Sequence, residues 1–448
     1  MEDLTPTTIV KAIDLTHDAL GVCKLEDGYT VFVEDLLKGE RAEILVTERR
    51  KNYGFGKVIE RLERSPYRVA PKCKHFYECG GCGLMHMDYD VQLSFKKYRV
   101  EAALKHVGLE ETEVKEMSGM INPYFYRNKV EIKFRQSEKG IEAGFFKAKS
   151  HHLVNLEECY IMSKKSFELL TLLKNVCNEL SIFAYDDVSK IGILKSAVIR
   201  ESALNKEIVL LLHLAKDTIS YQDMFVKKLI TKIPEIVGIA YTVTKDESPL
   251  STDKINVLYG KDFLTDQINE ITYEIGYRSF FQTNTYQAEK LYIKALEYAG
   301  LTGKNKVIDA YCGIGAIGLN AAKNSYKIFG IDVVKQAIAD ARKNAEKNNI
   351  QNAFFEVGDA ETVITKWKKF NFDVIFIDPP RKGCDKKFLD MILSMKIPKV
   401  VYVSCDQATL GRDLRFLVNG GYTVKEITPF DMFPQTIHVE SVTLLELK

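Results

Sequence analysis

Apolar and polar positions alternate through most of the first 62 residues. The runs TIVKAIDL, LGVCKL, YTVFVEDL, RAEILVTER and FGKVIERL read as short strands, punctuated by Gly21, Gly28, Gly39 and Gly54. Evenly spaced short strands predict a small β-barrel of the oligonucleotide-binding kind. SPYRVAP, Ser65–Pro71, breaks the pattern as a linker. A middle region follows that mixes strands (YRNKVEIKF, IGILKSAVIR, EIVLLLHL) with helices such as SFELLTLLKNVC. From about Thr272 the pattern becomes strand–helix alternation. KVIDAYCG, KIFGID, AFFEVGD, FDVIFIDPP and KVVYVSC are continuous apolar runs, each followed by a helical period such as Val334, Ile338, Ala341 and Ala345. Continuous runs mark strands buried on both faces, hence a parallel sheet covered by helices. YTVKEITPF and HVESVTLLEL have no helix between them and predict a closing antiparallel hairpin. The expected organisation is a barrel over 1–62, a mixed α+β central domain over 63–268, and a doubly wound, Rossmann-like α/β domain over 269–448.

Composition narrows the class. The 448 residues are 46% hydrophobic and 28% charged, with a net charge of only +2. A core of ample size is available, but the whole chain does not announce nucleic-acid binding. Charge is nonetheless uneven. Residues 40–76 hold ten Lys/Arg against five Glu, and residues 126–149 hold seven against three, segments that suit a phosphate backbone. The first residues show no basic stretch followed by an apolar one, and no apolar run approaches a membrane span. A cytoplasmic protein is expected. Nine cysteines in a reducing compartment then point to ligands, nucleophiles or core packing rather than disulfides.

The first strand of the α/β segment runs into GIGAIG, Gly313–Gly318, and Asp332 closes the second strand. Glycines let the backbone approach a ligand, and an acid at that strand end can accept from ribose hydroxyls. Nicotinamide and S-adenosylmethionine sites both use this arrangement. IDPPRKG lies beyond the fourth strand, where an Asp-Pro-Pro bend aims polar groups at a cofactor's reactive end; hydride transfer has no need of it. Cys405 follows the fifth strand on the same edge, ahead of a helix whose N-terminus is expected to favour thiolate.

A thiolate there could add to carbon 6 of uracil, making carbon 5 nucleophilic towards a methyl sulfonium. A base must afterwards remove the carbon 5 proton. IHVES offers His438 and Glu440, two apart on a strand and so on one face. Cys384 is the rival thiol, Cys312 belongs to the glycine loop, and Cys23 and Cys177 read as core. CKHFYECGGCGLMH spaces Cys73, Cys79 and Cys82 for a metal, with Cys159 as a fourth ligand; zinc would also accept His75 or His86.

The chain resembles the RNA uracil-5-methyltransferase family, in particular the branch acting on 23S ribosomal RNA that carries an N-terminal TRAM domain and an iron–sulfur cluster. DGYTVFVEDLLKGE is similar to the TRAM strand pair, and CKHFYECGGC with ECYIM to the cluster-binding set. YRNKVEIKF, SFFQTN, DAYCGIG, DPPRKG, VSCDQATL and DMFPQTIHVES follow in the family's order. The resemblance implies 5-methyluridine formation with Cys405 as nucleophile and Glu440 as base. It implies S-adenosyl-L-methionine held by Gln282, Tyr311, Asp332 and Asp378, to which the loop argument adds Gly313 and Gly315, and the third strand end adds Asp359. It implies a 4Fe–4S cluster on Cys73, Cys79, Cys82 and Cys159, structural in role, and 23S ribosomal RNA as partner, with no membrane and no protein partner. Because the transfer RNA branch generally lacks barrel and cluster, their presence favours the ribosomal substrate. Tyr29, Phe32, Tyr53 and Phe55 are the expected stacking residues. Three positions depart from the pattern: Gln407 stands where proline is usual, Asp332 where glutamate is commoner, and Ala19 where glycine is frequent. The competing readings are methylation of a transfer RNA uridine, a nicotinamide-dependent iron–sulfur oxidoreductase, and a non-catalytic RNA-binding protein.

Overall fold

The alternating N-terminal strands close on themselves. In the computed structural model, which describes residues 7–148, 150–243, 254–367 and 370–448, strands Thr8–Leu15, Gly21–Lys24, Thr30–Glu34, Arg41–Arg49 and Tyr53–Glu63 form a closed barrel in the order first, second, third, fifth, fourth. Lys149, at the end of the second basic segment, lies outside the described residues. Every second side chain points inward, so Val10, Ala12, Cys23, Val31, Val33, Ala42 and Ile44 fill the barrel. Ala19 adopts φ 62°, a left-handed conformation that glycine takes at lower cost. Its methyl is buried with Leu37, Leu84 and Phe95, packing that offsets the cost. The first basic segment is partly spent inside the molecule. Wholly buried Glu40 accepts hydrogen bonds from both Arg61 and Arg68, which also bind Asp35, and this network fastens the linker to the barrel.

A seven-stranded sheet follows, in the order Ile255–Gly260, Ile236–Val243, Ile208–Leu214, Leu194–Glu201, Lys129–Ser137, Gly140–Phe146, Leu153–Asn155. Helices Lys164–Glu179 and Gln222–Lys232 bury Leu169, Leu173 and Leu229 against it. Phe263–Ile268 and Ile271–Gly276 form a separate hairpin.

The last sheet has eight strands in the order Ala353–Val357, Lys327–Asp332, Lys306–Ala310, Val374–Ile377, Lys399–Ser404, Glu440–Leu447, Tyr422–Phe430, Glu113–Val114. The first five are parallel, and the C-terminal hairpin is antiparallel, as the apolar pattern predicts. Its final strand inserts beside Lys399–Ser404, which brings Glu440 next to the end of the strand preceding Cys405. Residues well upstream complete this unit: Glu113–Val114 forms its edge, and helix Tyr89–His106 buries Val100 and Leu104 with Leu410, Leu414 and Leu417. No helix among the described residues is long and apolar enough to cross a membrane.

Candidate active site

The carboxyl ends of five parallel strands lie at one edge of the sheet, where ligands bind in doubly wound folds. Register places Tyr311, Asp332, Asp378 and Cys405 just at or beyond those ends. Asp359 follows the neighbouring strand and is exposed, and Gly358 N–H donates to the Asp332 carbonyl at 3.0 Å. Tyr311 turns the chain with φ 63°, an uncommon backbone state that clusters at functional sites. Asp332 then organises the glycine turn: its carboxylate accepts from Gly313 N–H at 3.0 Å and Val334 N–H at 2.8 Å. A Cβ on Gly313 would meet nothing within 4 Å, so its backbone faces open space; at Gly318 the same atom would lie 2.6 Å from the Asp309 carboxylate, so that glycine serves helix-to-strand packing.

Acidic groups converge on the cleft. Burial pushes the carboxyls of Asp309 and Asp378 up to about 7 and raises Glu440 well above the usual carboxylate range. Asp378 adds to the rise at Glu440, and the guanidinium of Arg381 opposes it. Cys405 feels the same field. Desolvation first, then Glu440 and Asp378, pushes its thiol up to about 12, with Arg381 the opposing charge. The expected thiolate-favouring helix end is therefore outweighed. Helix Gln407–Asn419 begins two residues on, and the Asp406 side chain already accepts from its Thr409 N–H at 2.9 Å. Rival Cys384 is 6% exposed, with its sulfur 3.6 Å from the Tyr402 hydroxyl, which donates to Asp413 at 2.7 Å. His438 precedes the strand that Glu440 opens, so the two do not share a strand face; burial and nearby cations pull its imidazole down to about 4.

Two participants escaped the sequence reading. Tyr292, on helix Thr285–Ala299, is 2% exposed and lies in the field of Asp378, Asp309 and Glu440. A tyrosine on an apolar helix face gives no sign in the sequence that it faces these carboxylates. Arg381 sat in view within DPPRKG as the cleft's counter-charge.

The segment leading to Glu440 is held from several directions. Asp431 pairs with Lys96 and accepts from Tyr89 at 2.8 Å, both on helix Tyr89–His106. Gln435 exchanges side-chain and backbone bonds with Gln92 at 3.0 and 3.2 Å. Tyr126 donates to the Pro434 carbonyl at 3.0 Å and Asn284 to that of Met432 at 2.9 Å.

Comparison with known proteins gives this arrangement a lineage. Residues 88–448 match the tRNA (uracil-5-)-methyltransferase family, and residues 9–59 match the TRAM domain. This chain belongs to the uracil-5-methyltransferase family. It is 42% identical over 439 residues to an uncharacterised RNA methyltransferase of Halalkalibacterium halodurans, covering 97% of this chain and 96% of the relative. A Bacillus cereus RNA methyltransferase, also uncharacterised, is 41% identical over 436 residues, covering 96% and 95%. The tRNA (uracil-54, C5)-methyltransferase of Pyrococcus abyssi, solved with S-adenosyl-L-homocysteine, superposes with a TM-score of 0.76 at 28% identity, covering 98% of this chain and 100% of that one. The match includes the barrel, so the barrel by itself does not separate ribosomal from transfer RNA substrates.

In this uracil-5-methyltransferase the four expected ligand cysteines do converge. Cys73, Cys79, Cys82 and Cys159 line one cavity of about 20 Å³ walled by Phe76, Met85 and other apolar groups, roughly the space of one water. Burial, then the neighbouring sulfurs, raises the Cys82 thiol above the usual range. Neither His75 nor His86 lines the cavity: His75 accepts from Glu157 N–H at 3.1 Å, and His86 packs on Phe76. Four thiolates are the donor set of an iron–sulfur group, but among the described residues no three His, Cys, Asp or Glu side chains are gathered to hold a metal ion as they stand. Gly83 and Leu84 in this loop donate to the Gln435 carbonyl at 3.0 and 2.9 Å, connecting the cysteine loop to the segment before Glu440. On the barrel, Phe32, Tyr53 and Phe55 cluster at 5.5–6.0 Å, Arg50 lies 5.4 and 5.2 Å over the last two, and Arg49 lies over Tyr29.

Proposed function

We propose that this methyltransferase converts one or more uridines of 23S ribosomal RNA to 5-methyluridine, with Cys405 as nucleophile and Glu440 as base. The convergence of Cys405, Glu440 and Asp378 at one sheet edge carries this reading. Burial holds the cleft's carboxyls towards their neutral form, so a bound cation that ionised them would be stabilised in turn, and the open face at Gly313 leaves backbone exposed to a ligand. S-adenosylmethionine bound here supplies the electrophilic methyl group. Gln282, Tyr311, Gly313, Gly315, Asp332 and Asp378 would hold it, with Asp359 nearest the adenine side.

The Cys405 sulfur adds to carbon 6 of uracil, and the electrons of the 5,6 double bond move onto carbon 5 and the 4-carbonyl oxygen. The thiol's proton passes to a carboxylate of the cleft. Once carbon 5 carries the methyl group, Glu440, in the ionised form that the Arg381 guanidinium favours against burial, takes the remaining carbon 5 proton. The carbon–sulfur bond then breaks, and the double bond re-forms. The target base must leave its stack, at about a few kcal/mol, and the aromatic–arginine face of the barrel suits unpaired RNA. Cys73, Cys79, Cys82 and Cys159 would hold a 4Fe–4S cluster that stiffens the loop braced on Gln435.

Protein-free 23S ribosomal RNA and unmodified transfer RNA, each given labelled methyl donor, separate the substrates. Labelled 5-methyluridine in 23S RNA is expected. Label confined to transfer RNA, the reading that the Pyrococcus likeness favours, would remove the ribosomal assignment.

A further inference from the structure

The position where the family usually has proline carries a side chain with both ends engaged. Gln407 is 7% exposed and stands two residues after Cys405, at the first turn of helix Gln407–Asn419. Its amide donates to the Val439 carbonyl at 3.0 Å, and its carbonyl oxygen accepts from the Ser441 hydroxyl at 3.1 Å. Val439 and Ser441 bracket Glu440 and are themselves buried, at 2% and 0% exposure. Backbone pairing alone reaches this strand end through Ser404 opposite Ser441 and Phe430 opposite Glu440. A proline could supply neither side-chain bond.

We infer that Gln407 is a positioning residue, fixing the peptide on both sides of Glu440 relative to Cys405 so that the carboxylate is aimed at the carbon 5 proton. The inference rests on the proposed roles of those two residues. Addition of the sulfur needs only Cys405 to reach carbon 6, whereas release needs Glu440 at a defined place. Loss of Gln407 therefore slows release more than addition.

The experiment is a quenched single-turnover series with 23S ribosomal RNA and S-adenosylmethionine, following the covalent protein–RNA band as it forms and decays. For Gln407→Met, formation is expected within about twofold of wild type and decay slower by about tenfold or more, the effect of losing two hydrogen bonds. Ser441→Ala removes one of the two bonds from the opposite side and should slow decay by a smaller factor. It provides a second route should Gln407→Met fold poorly. Decay at the wild-type rate in both variants overturns the inference. So does a parallel fall of formation and decay that follows the folded fraction, because that describes a purely structural role. A wild-type enzyme that never forms a Cys405-dependent band overturns the roles of Cys405 and Glu440 themselves, a result distinct from normal decay in the variants.

Discussion

Lys96→Met should weaken the C-terminal unit severely, because it strands a carboxylate where no water reaches. Lys96 and Asp431 are both fully buried, and burial already pulls the lysine's pKa down. Lys96 also donates to the Phe433 carbonyl at 3.1 Å, and among the described residues Asp431 keeps only the Tyr89 hydroxyl, at 2.8 Å, as a side-chain partner once the ammonium is gone. Breaking a buried pair from one side costs about 3–5 kcal/mol. Protonation offers an escape that costs about 5 kcal/mol at pH 7.5 and about 2 kcal/mol at pH 5.5 for a carboxyl of ordinary acidity. The penalty therefore shrinks as pH falls: a buried carboxyl without its cation takes a proton more readily folded than unfolded, so the variant loses stability as pH rises. Urea unfolding at both pH values measures the loss, and hydrogen exchange at Phe433–Val439 localises it. Lys96→Met/Asp431→Leu should recover most of it. A single-variant loss below about 1 kcal/mol at pH 7.5, or one independent of pH, would mean that Asp431 is not left as a buried unpaired carboxylate.

The other predictions concern the cleft and the cysteine loop. Asp378, pushed up to about 7 by burial, favours the folded state most when protonated. Asp378→Asn should therefore gain stability relative to ligand-free wild type as pH rises from about 4 through 7, while binding S-adenosyl-L-homocysteine more weakly; melting curves and calorimetry read the two effects. Gly318→Ala places a methyl 2.6 Å from the Asp309 carboxylate. Overpacking of about 1–3 kcal/mol should lower both the melting temperature and cofactor affinity, and unchanged values would mean the helix shifts freely. Protein purified without oxygen should be brown, absorbing at roughly 400 nm as iron–sulfur proteins do. Cys73→Ser should lose that colour and its iron together, whereas a colourless zinc protein would remove the cluster.

Sequence pattern read the architecture well where burial is periodic. Continuous apolar runs such as VIFI and KVVYVS located the parallel strands and hence the edge carrying Asp378 and Cys405. It read poorly where burial is bought by polar partners. Helix Tyr89–His106 buries Gln92 and Lys96, whose partners Gln435 and Asp431 lie more than three hundred residues away in sequence. Two-residue Glu113–Val114 is too short to show a period. At Cys405 local position suggests a helix end that favours thiolate, while the opposing burial and the charges of Glu440 and Asp378 come from elements distant in sequence. Gln407 departs from the family pattern with no local reason in the sequence, because its partners Val439 and Ser441 lie around the start of a strand distant in sequence.

The most direct test of the central claim is mass spectrometry of Glu440→Gln after incubation with 23S ribosomal RNA and S-adenosylmethionine. A stable adduct in which the Cys405 sulfur is bonded to a methylated uracil is expected, absent from Cys405→Ala/Glu440→Gln. An adduct on Cys384, or full turnover by Glu440→Gln with no adduct at all, would contradict it.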